Sequence, residues 1–502
     1  MAHTPAPERL RGAEASSAAP RQEPGRAHLG EFGVLLGGQS ISTAATFDVR
    51  SPYDGSLAAI VHRAGASEIE EAIARASAAF ETTRHLPSWK RAQVLDTISA
   101  SIAARRDEFA TAIALEAGKP IRTARAEVDR AVFTFKTAAE ESKRIHGEIV
   151  ALDWLPGLDG REAQIRRIPL GPVAGITPFN FPINLVAHKV APALAAGDPV
   201  IIRPATQTPV SALLLGRLAV DAGWPADAIA VVPSTTADAA PLVTDERIKL
   251  LSFTGSPAVG WSLKTKAGRK RVTLELGGNA AIIVHADADV AYAAERVVWG
   301  GFSYAGQSCI SAQRIYVHNA VYDAFRADLL RRVAALKTGD PLDEATDVGP
   351  VIDHVAAERI GEWIDEARRA NAAVIAGGTR DGNLWQPTVV EAAPANVRVN
   401  CQEVFAPLIT LQRYADVDDA IRAAGASDFG LQAGIFTHDE RIIAKAVDEI
   451  EAGGIMVNDV STFRVDHMPY GGVKLSGFGR EGLKYAIEEM TELKLVTFNR
   501  RR

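Results

Sequence analysis

The chain has 502 residues, a length that predicts about three domains and a large buried core. Its apolar and charged fractions, 47% and 23%, are those of a globular protein and exclude a disordered or collagen-like chain. The net charge of −6 argues against a nucleic-acid-binding or anionic-membrane-binding surface. Two cysteines in this length exclude a disulfide framework, and we expect a reducing, cytoplasmic location.

The N-terminal part of the chain changes from a polar tail to helices. Residues 1–30 contain no apolar run of signal-peptide length, so we expect a flexible tail. No stretch of about 20 residues is uniformly apolar, which predicts no membrane span. Residues 67–144 show helical periodicity, with Ile69, Ile73 and Phe80 on one helical face.

After residue 169, short apolar runs alternate with helix-like stretches. This alternation indicates a parallel, doubly wound sheet, and its return after about residue 277 predicts a second α/β unit. The predicted strands are 173–178, 199–203, 228–232, 250–254 and 272–276, followed by 281–284, 314–317, 373–376 and 434–437.

Two segments fit neither unit. Residues 148–153 and 163–168 flank a Pro156–Gly157 turn and predict a hairpin, and residues 493–498 alternate apolar with polar residues, as strands do. Strands outside the main units are candidates for an oligomerisation arm. We expect the hairpin and the C-terminal strand to pair across a subunit interface.

Cys309 lies among small and polar residues, in the segment Gly-Gln-Ser-Cys-Ile-Ser that spans 306–311. Such neighbours place a thiol near main-chain donors and suit a nucleophile. Most free cysteines, however, are small buried core residues, and the local sequence leaves both possibilities open. Cys401 has no comparable setting.

Two further residues stand at the ends of predicted strands. Glu275 precedes two glycines, and a buried carboxylate with a raised pKa suits a general base for water. A carboxylate that caps the next turn is the alternative, and for Glu275 alone it is the commoner case. Asn180, between Pro178 and Pro182, is either a donor to an oxyanion or an ordinary turn residue.

A glycine-containing segment follows another predicted strand. It comprises Phe253-Thr254-Gly255-Ser256, and Gly260 comes five residues after Gly255. Small residues there allow a helix N-terminus to approach a pyrophosphate, although the segment is not the usual dinucleotide fingerprint.

Together, seven motifs in this order resemble the aldehyde dehydrogenase superfamily, and the resemblance covers the chain from about residue 30. It favours the functional interpretation of Cys309, Glu275 and Asn180. The motifs are Pro-Phe-Asn-Phe-Pro at 178–182, Arg-Pro-Ala at 203–205, Phe-Thr-Gly-Ser at 253–256, Glu-Leu-Gly-Gly at 275–278, Gly-Gln-Ser-Cys at 306–309, Glu-Val-Phe-Ala-Pro at 403–407 and Pro-Tyr-Gly-Gly-Val-Lys at 469–474.

The resemblance implies an α/β fold with a Rossmann-like cofactor-binding domain, a second α/β catalytic domain and a small β oligomerisation arm. It also implies a homodimer or homotetramer. The expected ranges are 31–145 and 169–276 for the cofactor-binding domain, 277–480 for the catalytic domain, and 146–168 with 485–502 for the arm.

The implied reaction is oxidation of an aldehyde to a carboxylic acid with NAD or NADP. Cys309 attacks the aldehyde to give a thiohemiacetal, whose oxyanion is held by Asn180 and the Cys309 backbone N–H. Glu275 activates the water that hydrolyses the thioester left after hydride transfer. Lys189 is expected near Asn180 as a fourth catalytic residue, and no metal ion is expected. The implied cofactor contacts are Ile176, Pro178, Phe179, Arg203, Thr206, Gly255, Ser256, Gly260, Glu403 and Phe405.

Two departures from the family pattern bear on the cofactor. Arg203 stands where the family usually has lysine, and Thr206 stands where NAD-specific members usually carry a ribose-binding glutamate. Without that carboxylate a 2′-phosphate meets no repulsion, and Arg203 can attract it. We therefore expect both NADP and NAD to be accepted.

Other departures place polar residues where many members have an apolar substrate wall. Asn184 and His188 are four apart on a predicted helix, and Ser303 and Ser308 precede the cysteine. His188 is alternatively a hydrogen-bonded helix residue, and Arg464 is either a substrate-tunnel cation or a surface loop residue. Jointly they favour a small polar or anionic aldehyde, as in the lactaldehyde, non-phosphorylating glyceraldehyde-phosphate and phosphonoacetaldehyde branches.

Three other functions fit the sequence less well. A CoA-acylating aldehyde dehydrogenase usually lacks the carboxylate present here as Glu275, and a non-catalytic structural relative is free to lose Cys309 or Glu275. A thiol hydrolase does not require the cofactor residues. The sequence therefore favours an NAD(P)-dependent enzyme that acts on a small-molecule aldehyde, with no nucleic-acid or membrane partner.

Overall fold

The computed structural model describes residues 28–500, so the tail expected over 1–30 falls almost wholly outside the described residues. The helices within that range are α1 (Ala66–Thr83), α2 (Ser88–Ala104), α3 (Arg106–Ala117), α4 (Ile121–Glu141), α5 (Asn184–Ala196), α6 (Val210–Asp221), α7 (Ala240–Thr244), α8 (Pro257–Lys266), α9 (Val290–Phe302), α10 (Tyr322–Ala334), α11 (His354–Arg369), α12 (Arg398–Cys401), α13 (Val417–Gly425), α14 (Glu440–Glu449) and α15 (Leu483–Glu489).

The strands, in chain order, form two large sheets and several small ones. They are β1 (Glu31–Phe32), β2 (Val34–Leu36), β3 (Gln39–Ile41), β4 (Thr46–Arg50), β5 (Leu57–His62), β6 (Glu148–Ala151), β7 (Arg161–Pro169), β8 (Val173–Ile176), β9 (Val200–Arg203), β10 (Ile229–Val231), β11 (Leu250–Thr254), β12 (Arg271–Glu275), β13 (Ala280–Val284), β14 (Ala312–His318), β15 (Ala373–Ala376), β16 (Arg380–Asp381), β17 (Leu384–Trp385), β18 (Thr388–Glu391), β19 (Leu408–Tyr414), β20 (Phe429–Gly430), β21 (Gln432–Phe436), β22 (Gly454–Val457), β23 (Val473–Lys474), β24 (Gly477–Phe478) and β25 (Thr491–Asn499).

The first large sheet has the strand order β24-β12-β11-β8-β9-β10-β2-β3, and the five strands from β12 to β10 are mutually parallel. Alternate side chains of a strand point to opposite faces, so each face packs on its own helices. Val200 and Ile202 join the core formed with α2 to α6, whereas Ile201 joins the core formed with α1 and α7. This is the doubly wound sheet that the sequence predicts.

The second large sheet has the order β15-β18-β19-β14-β13-β21-β22, with only the edge strand β15 antiparallel. Ile282 and Val284 point into one core, while Ile283 points into the other. The predicted second α/β unit is therefore confirmed, and with it the fold class.

The helical region predicted over 67–144 is four helices rather than a continuous run. Pro87 and Pro120 stand immediately before α2 and α4, where proline suits a helix start but not a helix interior. Gly118, with φ of 66°, ends α3 in the left-handed conformation. The predicted buried face of α1, with Ile69 and Ile73, is confirmed.

The arm differs from the expectation in one respect. β6 and β7 form the predicted hairpin, but β25 pairs with β7 over nine residues within the same chain. The expected pairing of these two segments across a subunit interface is therefore wrong. Leu170 N–H donates to the Met490 carbonyl, which aligns β25 with β7 as the chain leaves α15, so two segments distant in sequence pair within one chain.

The other unexpected pairing is at the edge of the first sheet. β24 pairs with β12, so residues 477–478 belong to that sheet although the sequence analysis assigned them to the second unit. This pairing brings the chain that follows Tyr470 against Glu275. Across residues 28–500, no helix combines the length and apolar character needed to cross a membrane.

Candidate active site

A cleft of about 310 Å³ lies where the carboxyl ends of β8, β11 and β12 face the segment that precedes β14. Cys309, Glu275 and Asn180 all line it, so the fold brings the three predicted catalytic residues together. The other residues that line the cleft are Arg130, Pro178, Phe179, Phe181, Asn184, Leu185, Thr254, Gly255, Ser256, Leu276, Gly277, Ser308, Ile310, Glu403, Phe405, Arg464 and Tyr470.

The turn before Cys309 has an unusual backbone. Tyr304, Ala305 and Gly306 have positive φ angles of 49°, 52° and 65° in succession. A Cβ on Gly306 would lie 1.9 Å from the Ala406 carbonyl oxygen, so only glycine fits there. Strained backbone of this kind persists where the surrounding structure holds it, and it is common at functional sites.

Cys309 is half-buried, and its thiol has a close polar neighbour in Tyr470. Its Sγ lies 3.0 Å from Oη of Tyr470. Burial raises the pKa of the thiol to about 12, against the opposing effects of the Tyr470 hydrogen bond and Arg464. The thiol is therefore protonated at neutral pH in this state.

Asn180 is oriented by the same loop. Its Nδ2 donates a hydrogen bond to the Gln307 carbonyl at 3.0 Å, and Gln307 is itself anchored because its Oε1 accepts from Ile352 N–H at 2.9 Å. An amide nitrogen carries two protons, so the second N–H of Asn180 is available to an oxygen beside Cys309. This geometry fits a donor to an oxyanion.

Glu275 lies at the end of β12 and is 4% exposed. Its Oε2 has no hydrogen-bond partner among the described residues. Burial, followed by the nearby charge of Glu481, raises the pKa of Glu275 well above its ordinary value. The carboxyl therefore holds a proton more readily than a surface glutamate, as a general base that works near neutral pH requires.

Lys189 lies behind the strand ends rather than in the cleft. Its Nζ donates to Oγ1 of Thr254 at 2.8 Å and to Oγ of Ser252 at 3.1 Å, and it pairs with Glu481 at 3.4 Å. Burial lowers the pKa of Lys189, while Glu481 opposes that effect. Lys189 therefore supports the strand ends and supplies positive charge near Glu275.

A buried ionic network adjoins the cleft. His188 Nε2 lies 2.9 Å from Oδ1 of Asp466, and its Nδ1 accepts from Arg464 at 2.9 Å. Asp466 also accepts from Arg130 at 2.6 Å, and Arg464 donates to Glu481 at 3.0 Å. His188 does not line the cleft, because its two ring nitrogens bond to Asp466 and Arg464. It positions Arg464, so His188 is the hydrogen-bonded helix residue of the alternative interpretation.

Arg464 reaches the cleft from this network, so it is not a surface loop cation. Its guanidinium carbon lies 3.5 Å from the centre of the Tyr470 ring. Its Nε is buried without a hydrogen-bond partner among the described residues and lies 3.8 Å from Oδ1 of Asp466. The Arg464 side chain as a whole lines the cleft, where its positive charge can pair with an anion.

A second, outer cavity of about 670 Å³ adjoins the cleft, and Arg130, Ser308 and Arg464 line both. Ser303 lines the outer cavity, as expected for the approach to Cys309. Its charged lining residues are five arginines and three acids, namely Arg122, Arg130, Arg296, Arg332, Arg464, Glu127, Glu295 and Asp347. Each of the five arginines is ion-paired with a carboxylate, and Arg130 and Arg464 are the two that also line the cleft.

The sequence and the fold were compared with known proteins. The family model described as "Aldehyde dehydrogenase family" matches residues 40–496. The chain belongs to the aldehyde dehydrogenase family. It is 44% identical to the 3-sulfolactaldehyde dehydrogenase of Priestia aryabhattai over 470 residues, which are 93% of this chain and 98% of that protein.

Two solved structures of the family are also similar. Aldehyde dehydrogenase 21 from Physcomitrella patens, in complex with the reaction product succinate, has a TM-score of 0.92 and 40% identity, covering 93% of this chain and 98% of that one. GapN from Methanocaldococcus jannaschii, a glyceraldehyde-3-phosphate dehydrogenase complexed with NADP, has a TM-score of 0.88 and 36% identity, covering 91% and 100%. This chain is an NAD(P)-dependent aldehyde dehydrogenase.

The cleft of this aldehyde dehydrogenase fits a nicotinamide dinucleotide. Gly255 and Ser256 line the cleft, and Ser256 is the N-cap of α8, so a helix N-terminus that suits a pyrophosphate adjoins the cleft. Glu403 accepts from Gly278 N–H at 2.9 Å, and a Cβ on Gly277 would lie 2.4 Å from Oε2 of Glu403. Burial raises the pKa of Glu403 to about 7. Phe405 meets Phe179 edge to face at 5.9 Å.

Some expected cofactor residues lie outside the cleft itself. Ile176 is buried at the end of β8, and Gly260 allows α8 to pack closely, because a Cβ there would lie 2.4 Å from Leu276. Thr206 is exposed and lines a different cavity, of about 410 Å³. Arg203 donates to the Ser234 carbonyl at 3.0 Å.

Sequence reasoning missed Arg130, Ser234 and the role of Tyr470. Arg130 lies on α4, far from every motif, and nothing in its local sequence distinguishes it. Ser234 had a signal: it follows β10, the strand beside β9, and the ends of adjacent parallel strands meet at one edge. Tyr470 was included only as part of a motif.

We expect Asp466→Asn to lower the free energy of unfolding by about 3 kcal/mol, near the lower end for a broken buried ion pair, because Arg130 is only partly buried and regains water. Burial opposes ionisation of Asp466, but Arg130 and His188 outweigh it and hold its pKa well below the usual range. The stabilisation is therefore present above the unfolded pKa of about 3.9 and is lost at lower pH.

Urea unfolding across a pH series measures this effect. The matched control is Asp129→Asn, on the same helix as Arg130. It removes an exposed ion pair with Arg106 and should lower the free energy of unfolding by less than about 1 kcal/mol. Equal losses in the two variants would show that the Asp466 network contributes no more than a surface pair.

Proposed function

We propose that this enzyme oxidises a small anionic aldehyde to the corresponding acid, with Cys309 as the nucleophile. The observation that carries the proposal is that the guanidinium side chains of Arg464 and Arg130 line the cleft that also holds Cys309. A carboxylate, sulfonate or phosphate on the substrate would pair with these cations.

The chain's own residues support each part of the reaction. The Cys309 thiol first loses its proton to solvent. The thiolate then adds to the aldehyde carbon, and the free N–H of Asn180 with the Cys309 backbone N–H stabilises the resulting oxyanion. A bound nicotinamide supplies the hydride acceptor. Ser256, Glu403 and Phe405 are the residues we assign to holding the cofactor in the cleft.

Glu275 acts in the second half of the reaction. After the hydride has left the substrate carbon, the acyl group is a thioester on Cys309. The Glu275 carboxylate takes a proton from the attacking water, and the thioester breaks to free the acid and the Cys309 thiolate. Because the pKa of Glu275 is raised, hydrolysis should become faster as the pH rises through that value.

Glu275→Gln tests this division of labour. We expect a burst of about one reduced cofactor per active site followed by slow turnover, because acylation needs the thiolate and hydrolysis needs the base. Rapid-mixing absorbance of the reduced nicotinamide measures both phases. Glu391→Gln, at the end of β18 in the other sheet, is the control and should behave as wild type. Loss of the burst in Glu275→Gln would place its role before acylation.

The anion site combines Arg464 with Arg130. Both line the cleft and the outer cavity, and both already share the carboxylate of Asp466. The similar proteins agree with this chemistry, since one is named for sulfolactaldehyde and another was solved with succinate. Asn184 and Ser308 add polar groups to the same wall.

Arg464→Gln should raise KM for succinate semialdehyde about 10- to 100-fold, as expected for loss of a charge-assisted hydrogen bond. Butanal, a neutral aldehyde with the same number of carbons, should change about threefold or less. Steady-state kinetics with both aldehydes measures the difference. Arg332→Gln, in the outer cavity only, is the matched control. Equal losses for the two aldehydes, or a wild-type preference for butanal, would contradict the anion site.

We also propose that NADP is accepted and that NAD remains usable. Arg203 Nε and Ser234 Oγ are buried without hydrogen-bond partners in the described chain, at the ends of adjacent strands. The Arg203 side chain is half-buried, so its guanidinium can pair with a 2′-phosphate at this edge of the sheet. Thr206 brings no carboxylate to repel it.

Thr206→Glu should shift the NADP/NAD ratio of kcat/KM toward NAD by about 1–3 kcal/mol, because a carboxylate repels the 2′-phosphate and binds ribose hydroxyls. Gln207→Glu adds the same charge one residue later and serves as the control. An unchanged ratio in Thr206→Glu would show that this position does not contact the ribose.

The arm supports a homodimer or homotetramer. β25 is an edge strand of the three-stranded arm sheet in the described chain. Large apolar side chains are exposed on the arm, which is typical of a surface that packs on another subunit. They are Ile149, Trp154, Leu155, Leu493 and Leu495.

A further inference from the structure

The hydroxyl of Tyr470 makes a contact that the proposed reaction does not use. Oη lies 3.0 Å from Sγ of Cys309, and either atom can donate when the cysteine is a thiol. A thiolate has no proton, so in the reactive form only the tyrosine can donate. The same contact therefore has a fixed direction once Cys309 is ionised.

The Tyr470 ring is held so that the hydroxyl cannot easily turn away. The residue is 3% exposed, and its backbone forms an antiparallel bridge with Glu481, with hydrogen bonds of 3.1 and 2.6 Å. The Arg464 guanidinium covers one face of the ring at 3.5 Å. A preorganised donor costs little entropy when charge forms on its acceptor.

We propose that the Tyr470 hydroxyl donates a hydrogen bond to the Cys309 thiolate and thereby increases the fraction of the enzyme that carries the reactive nucleophile. Tyr470 touches the reacting sulfur and keeps its own proton throughout. The inference rests on the proposed role of Cys309 but requires no particular aldehyde.

The charges around Cys309 favour such a donor. Burial raises the pKa of the thiol, Glu403 and Glu275 raise it further, and the Tyr470 hydroxyl and Arg464 lower it. Arg464 is already shared with Glu481 and Asp466, so its effect on the sulfur is divided. Burial also keeps the pKa of Tyr470 well above its ordinary value, so the phenol remains a donor.

The pH dependence of alkylation by iodoacetamide tests the proposal directly. The sequence contains two cysteines, so a Cys401→Ser background leaves Cys309 as the only thiol. Tyr470→Phe keeps the ring beneath Arg464 and removes only the hydroxyl. We expect the apparent pKa of Cys309 to rise by about one to two pH units, as for a hydrogen bond to a charged group.

The rates are compared between pH 7 and 9, well below the raised pKa of the thiol. There the rate follows the thiolate fraction, only partly offset by the greater nucleophilicity of a thiolate of higher pKa, so Tyr470→Phe should react about 3- to 15-fold more slowly at each pH. A structural defect that opens the site would instead expose the thiol and raise the rate.

Two further variants serve as a negative control and as a test in the opposite direction. Tyr414→Phe removes another largely buried hydroxyl, 2.9 Å from His285 Nδ1, and should leave the profile unchanged. Site-specific difluorotyrosine at position 470 is a stronger donor and should lower the Cys309 pKa, and it applies even if Tyr470→Phe folds poorly.

Unchanged alkylation profiles for both substitutions at position 470 would overturn the proposal and leave Cys309 as the nucleophile. Full aldehyde turnover in Cys309→Ser would instead overturn the proposed function. The two failures are distinguishable because alkylation needs neither aldehyde nor cofactor.

Discussion

Compensation of buried charge behind the cleft is the constraint on which the active site depends. Lys189, Glu481 and Arg464 are all buried, and an uncompensated ion there would cost several kcal/mol. Glu481 pairs with both Lys189 and Arg464, which hold the pKa of its carboxyl below the usual range. Glu275 has no paired cation among the described residues, and burial keeps its pKa raised. Glu481 is therefore ionised, whereas Glu275 can act as a base near neutral pH.

The same network connects the substrate side to the nucleophile. Arg464 contacts Glu481, His188 and the Tyr470 ring, and the Tyr470 hydroxyl contacts Cys309. A substrate anion at Arg464 therefore lies one side chain away from the group that stabilises the thiolate. Substitutions in this network should alter substrate choice and thiol reactivity together, because the side chains share partners.

Much of the fold and the reacting groups could be predicted because the signals are local. The apolar runs are the parallel strands, and Cys309, Glu275 and Asn180 meet because strand ends and ordered motifs predict one cleft. His188 was expected at the substrate wall because helix spacing shows which residues share a face, not what packs on it. Its partners Asp466 and Arg464 are more than 270 residues away, with separations of 278 and 276.

The sequence by itself determined the family, the reaction type and the nucleophile, since these depend on residue types in short ordered motifs. Only the tertiary structure decided that β25 pairs with β7 in one chain, that Arg130 reaches the cleft and that Tyr470 touches the sulfur. The physical reason is that hydrogen bonds and ion pairs depend on distances of about 3 Å between atoms, and those distances are set by packing between distant segments.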